Sequence, residues 1–192
     1  FCSFAEANYD LDDQGLVVVR GKNADVGDGS SSNGSGKSTV LVDALCWVLF
    51  GKTTKGGSAD SVTPGGDGKG TRVAVWFEKD GQTFQITRHR KHSSMSNKIV
   101  VHKEGEDISR STASENNKLV ESILCITFDT FLYTTVLGPG SFRLSKLTDQ
   151  GRREILEDIT GTGVYEDAKL AARAKAKELT EQIRIDEVRA ES

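Results

Sequence analysis

Cysteine is scarce: 3 in 192 residues, at Cys2, Cys46 and Cys125, far apart and without pairing or metal-ligand spacing. That excludes a disulfide scaffold and reads as reduced core thiols in a cytosolic protein. No charge dominates. Lys and Arg number 25 against 28 Asp and Glu, a formal net charge of −3. No global basic field therefore draws the chain to nucleic acid or an anionic membrane, and any such contact must be a local patch. Long apolar runs are missing too. Ala44–Phe50 falls far short of a membrane span, so no membrane partner is expected. No secretory n-region or h-region opens the chain, which starts at Phe1 rather than Met and reads as truncated. His89, His92 and His102 lie in a polar, basic region without a Cys or carboxylate cluster, which speaks against a metal site there. With 36% hydrophobic and 28% charged residues, the composition suggests a folded domain joined to something polar and elongated.

What the chain does have is Asn33-Gly34-Ser35-Gly36-Lys37-Ser38-Thr39, between the apolar run Leu16–Val19 and the apolar stretch Val40–Phe50. Strand, small-residue loop, Gly-Lys-Ser and helix is how a chain cradles a nucleotide's phosphates, with loop amides and the helix's positive end facing the anion. Gly34 and Gly36 would let the backbone approach closely, Lys37 would reach the β- and γ-phosphates, and the Ser38 hydroxyl would ligate Mg²⁺. The pattern G-x-x-x-x-G-K-[ST] wants a glycine at position 31, where Ser31 stands.

The surrounding chain reads as follows. Phe4 and Leu11 are candidate core contacts before a strand over Leu16–Arg20. Ala24–Ser32, rich in Gly, Ser and Asp, looks like a mobile insertion between that strand and the loop. Ser38–Phe50, apolar on every face except Asp43, predicts a buried helix stopped at Gly51. A Gly-rich loop over residues 52–70 is placed to lie over the nucleotide. Strands are expected at Val73–Phe77, Phe84–Thr87 and Ile99–Val101, the first pair joined at Asp80-Gly81 as a hairpin and the whole forming a β-meander. Glu78 is no catalytic carboxylate, because the turn follows at once. The run Arg88–His92 reads as a solvated strand end in preference to a DNA contact. Thr112 and Glu115 fit a capping box opening a helix through Leu124. Phe128–Leu137 is apolar, Gly138–Phe142 a sharp turn, and Thr148 caps a helix stopped at Gly161. Beyond Tyr165, the positions Ala172, Ala176, Leu179 and Ile183 form a stripe that needs a partner helix.

In this order, Phe1–Phe4, Gly15–Asn23, Asn33–Thr39, the strands through Arg88, and Arg152–Gly161 followed by Tyr165 resemble the N-terminal half of the SbcC-like ATPases. These are the coiled-coil, SMC-related large subunits of DNA double-strand-break repair complexes and their phage recombination counterparts. The resemblance implies an α/β P-loop fold: the N-terminal lobe of an ABC-type ATPase head over residues 1–161 and the start of a coiled-coil arm over 162–192. It implies ATP and Mg²⁺ as ligands, and as partners a second copy of the chain, its own C-terminal lobe, an SbcD-like nuclease and double-stranded DNA. It also implies a cytoplasmic, nucleoid-associated protein, phage-encoded in a bacterial host if the phage branch applies. The signature motif, Walker B carboxylates and switch histidine of such a head belong to the C-terminal lobe. The family's Q-loop glutamine would fall at Pro139, which offers no side-chain ligand: either Ser141 substitutes, or metal handling is altered, or the protein binds ATP better than it hydrolyses it. The displaced first glycine of the loop would be Gly21. Two other readings remain: a non-catalytic, nucleotide-gated DNA tether, and a P-loop kinase of small metabolites, for which the helical tail has no place.

Overall fold

Local turn chemistry sets the sheet. Asp80 and Gly81 both sit at positive φ (53° and 71°), the pattern of a two-residue type I′ turn whose twist matches the strands it joins. It pairs β1 (Thr71–Lys79) with β2 (Gln82–Arg90) from Lys79↔Gln82 to Thr71↔Arg90. β3 (Ile99–Lys103) and the short β4 (Glu106–Asp107) follow, in an antiparallel sheet of order β1-β2-β3-β4. The structure is a computed structural model that describes residues 1–22, 35–64, 70–136 and 144–190. Residues Phe1–Phe128 and Asp129–Ser192 make two units.

In the first unit, alternation sends Val75, Ile86 and Val101 to one sheet face, with Phe77 stacked on Phe84 at 5.5 Å between ring centroids. That face packs against α1 (Ala44–Phe50) and α2 (Ala113–Leu124). A five-residue π turn, Thr39–Asp43, leads into α1, which buries Cys46, Trp47, Val48, Leu49 and Phe50. Gly51, at φ 72°, ends it in the left-handed conformation open to glycine. α2 opens on the reciprocal Thr112–Glu115 capping box and buries Val120 against the sheet. The chain start is tied in by Phe1, 5.6 Å from Trp47 between ring centroids, and by the Cys2 amide, which donates to Val62 O at 2.8 Å.

The second unit holds α3 (Phe128–Thr135, beginning at its edge), α4 (Asp149–Thr160) and α5 (Gly163–Ala190). The Thr148 hydroxyl accepts from the Gly151 amide at 3.2 Å, and Gly161 closes α4 at φ 65°. Along α5, Val164, Tyr165, Leu170, Leu179 and Ile183 are exposed.

Four expectations change. Leu16–Arg20 forms no strand: Leu16 is 97% exposed, and Val17, Val18 and Val19 are exposed beside it. Its β-branched residues suit a strand, but a strand needs a neighbour's backbone, and the described sheet begins only at Thr71. Leu11 is exposed, whereas Phe4 is half-buried. Cys46 is a core thiol, but Cys2 is only half-buried and Cys125 is exposed, the latter at the left-handed end of α2. The run Arg88–His92 is not a solvated strand end, because Arg88 and His89 are buried.

Candidate phosphate-binding site

Gly36 stands at φ 79°, and the Val40 amide donates to its carbonyl at 3.0 Å, so the first helical turn is built directly on it. A Cβ here would lie 2.5 Å from the Phe4 ring, so only glycine lets that ring close on the loop. Gly21 plays a similar part from the other side: a Cβ there would lie 1.9 Å from Ser35 Oγ and 3.1 Å from Lys37 Cγ. Across the long separation in sequence, Gly21 and Ser35–Lys37 are therefore packed together. Lys37 Nζ donates to Ser35 Oγ at 3.2 Å, which curls the side chain back over its own loop.

The helix behind this turn is asymmetric. At its carboxyl end Arg88 Nε donates to Val48 O at 3.1 Å, and Nη2 to Leu49 O at 3.3 Å and to Asn117 Oδ1 at 2.9 Å. Burial pushes the guanidinium down to about 10. The dipole's negative end is thus met by a buried cation, while the opposite end opens on the Gly36–Thr39 turn. Further along, Asp43 is 2% exposed, and its Oδ1 accepts from the Thr54 amide at 2.9 Å and the Thr54 hydroxyl at 2.6 Å. Burial, with Asp43 nearby, pushes the Cys46 thiol up to about 11, which makes it inert packing and not a nucleophile.

Of the sequence-predicted set, Ser35, Gly36, Lys37, Ser38 and Thr39 come together at this helix mouth. Asn33 and Gly34 lie outside the described residues, as do Ser31, the insertion Ala24–Ser32, the turn Gly138–Phe142 with Pro139, and Ser141. Sequence reasoning missed Phe4 as the ring over Gly36, and the Asp43–Thr54 bond that folds the following loop back on the helix. An acid inside an otherwise apolar helix was the available signal. The Ser38 hydroxyl makes no capping hydrogen bond, and no group of three His, Cys, Asp or Glu side chains that could hold a metal exists among the described residues. As a hard oxygen donor, the Ser38 hydroxyl is of the ligand type that magnesium takes.

A Gly-Lys-Ser turn at the mouth of a buried helix, beside an antiparallel sheet and in an AAA-family domain, is consistent with an α/β P-loop ATPase. The chain belongs to the AAA domain family, whose profile matches residues 1–191, and it is an SbcC/Rad50-like N-terminal ATPase lobe. It is 30% identical over 157 residues to the SbcC component of the SbcCD nuclease of Deinococcus radiodurans, covering 78% of this chain and 17% of that protein. It is 27% identical over 149 residues to probable exonuclease subunit 2 of Escherichia phage T5, covering 77% of this chain and 24% of that protein. To the DNA double-strand break repair Rad50 ATPase of Thermoplasma volcanium it is 25% identical over 154 residues, covering 79% of this chain and 17% of that protein. The chain thus spans between 17% and 24% of the length of these relatives. Among the described residues, no helix is long and apolar enough to cross a membrane.

Proposed function

We propose that this chain binds and helps hydrolyse ATP as one half of a composite ATPase head, and that nucleotide-driven engagement of two heads serves DNA double-strand-break repair with a partner nuclease. The observation that carries this reading is the Gly36–Thr39 turn at the amide end of a buried helix whose opposite end is neutralised by Arg88. Lys37 and the loop amides hold the β- and γ-phosphates in place, and the transferred phosphoryl group needs positioning and charge stabilisation more than covalent help. Magnesium held at Ser38 supplies further positive charge against those oxygens. In sequence, Asn33 and Gly34 are the remaining residues of the motif.

The four exposed apolar residues Leu16–Val19 support a composite head, since such a run needs backbone neighbours and cover from a C-terminal lobe. The exposed apolar positions along α5 support an arm starting near residue 162 and pairing with a second helix, with residues 1–161 as the lobe. The relatives' names, which speak of a nuclease, an exonuclease subunit and a DNA double-strand break repair ATPase, support double-stranded DNA and a nuclease as partners, and a cytoplasmic, nucleoid-associated setting is part of the same proposal. In this reading ATP is a ligand that favours the engaged dimer, and the coupling to DNA is a population shift.

The water-positioning carboxylates belong to the C-terminal lobe. The chain alone is therefore expected to bind Mg–ATP yet turn it over far more slowly than the ordinary enzyme scale of about 1 s⁻¹. A single-turnover measurement decides: turnover near that rate by the chain alone contradicts the composite site.

A further inference from the structure

Just past the end of α1 the chain reverses, and Lys55 comes back to the beginning of the same helical segment. Its Nζ donates to Thr39 Oγ1 at 3.2 Å and lies 3.5 Å from Asp43 Oδ2. Thr39 directly follows Ser38, so an ammonium stands over the first helical turn, beside the residues assigned to the phosphates. The Lys55 side chain is nonetheless 68% exposed.

Anchoring the loop does not account for this placement. Thr54 already fixes the reversal by giving both its amide and its hydroxyl to Asp43 Oδ1. An ion pair to an exposed lysine adds little to stability, commonly under about 1 kcal/mol. Holding a long, mobile side chain in one place also costs side-chain entropy, roughly 1.5–2 kcal/mol when it is fully fixed. An ammonium has three donors, and the contacts with Thr39 and Asp43 use at most two. A cation held beside an amide-rich turn, with a donor to spare, is placed for an anion.

We infer that Lys55 is a second phosphate-binding cation, contacting the phosphate chain of a nucleotide seated at Gly36–Thr39, with Asp43 and Thr39 as its positioning residues. The inference rests on the nucleotide reading above and deepens it. Asp43, buried and satisfied by Thr54, sets the direction of approach, and the Thr39 hydroxyl holds the ammonium in place until phosphate oxygens take the bond over. Nucleotide binding would then draw the loop onto the helix mouth through Lys55.

The test is titration of the full chain with Mg–ATP alongside Lys55→Met, Lys55→Arg and Lys37→Ala, with the nucleotide-free melting temperature of each. Lys55→Met is expected to weaken binding about tenfold, the scale of one charge-assisted hydrogen bond, without lowering the melting temperature. Lys55→Arg is expected to restore affinity to within about threefold, because it keeps the charge. The Lys55→Met loss should also shrink as salt is raised. If Lys37→Ala loses binding while Lys55→Met keeps the parental affinity, Lys55 is a surface strap and the inference is overturned while the site stands. If Lys37→Ala binds like the parent, the site reading itself falls, and the inference with it.

Discussion

The Nε of Arg88 lies 3.1 Å from the carbonyl oxygen of Val48, which places a buried guanidinium on the last turn of the helix that follows the Gly36–Thr39 turn. The strand β2 thereby fixes the far end of that helix. Lys79 does the same for α2, its Nζ donating to Ile123 O at 2.6 Å. Both cations rise from the sheet face that also carries the apolar core.

Arg88→Met keeps the aliphatic bulk and removes the fork, leaving Val48 O, Leu49 O and Asn117 Oδ1 without this donor. Folding stability is expected to fall by about 3 kcal/mol, the range for a buried charged donor withdrawn from its acceptors. Urea denaturation measures it. Arg88→Lys should recover less than half, since one ammonium cannot reproduce a planar fork. A loss under about 1 kcal/mol would make the cap incidental.

Gly36→Ala meets two obstacles: φ at 79°, and the Phe4 ring 2.5 Å from the new methyl group. The conformational part costs about 1–2 kcal/mol on its own. Phe4→Ala in the same chain removes the clash but not the strain, so the double variant is expected to recover part of the lost stability. Strict additivity of the two changes, read by chemical denaturation, would show that the ring and the loop do not touch.

Burial lowers the His89 imidazole from its ordinary 6.5, its bond to Lys98 O opposes that, and the nearby charges of His92 and Arg72 add to the lowering. An unfolded chain takes up this proton near 6.5, while the folded chain resists it down to a lower pH. The contribution to stability is therefore complete above about pH 6.5 and is lost as pH falls through the folded value. The melting temperature should drop between about pH 7 and pH 5, and His89→Gln should flatten that drop. An unchanged slope in the variant would assign the effect to other groups.

Legibility followed the range of the interaction. Asp80-Gly81, the Thr112–Glu115 box, Thr148 and the stops at Gly51 and Gly161 were readable because each acts within a few residues of itself. The apolar segment through Phe50 announced a buried helix for the same reason. Arg88 was misread, since a run of Arg, His and Lys looks solvated until a helix terminus from 40 residues upstream is laid across it. Leu16–Val19 carried strand propensity, but pairing depends on a neighbour that propensity does not encode. At the site, Gly36–Thr39 was legible as a motif. The Phe4 ring over Gly36 and the Lys55 ammonium over Thr39 were not, because chain reversal alone brings them there.

The central claim is that a phosphate chain sits against the Gly36–Thr39 amides with Lys37 across it. Calorimetric titration of Mg–ATP into the full chain and into Lys37→Ala tests this most directly. The parent is expected to bind, and the variant to bind at least tenfold more weakly, the loss of about one charged contact, with an unchanged melting temperature in the absence of nucleotide. Equal affinity in the two proteins, or no binding by the parent, would contradict it.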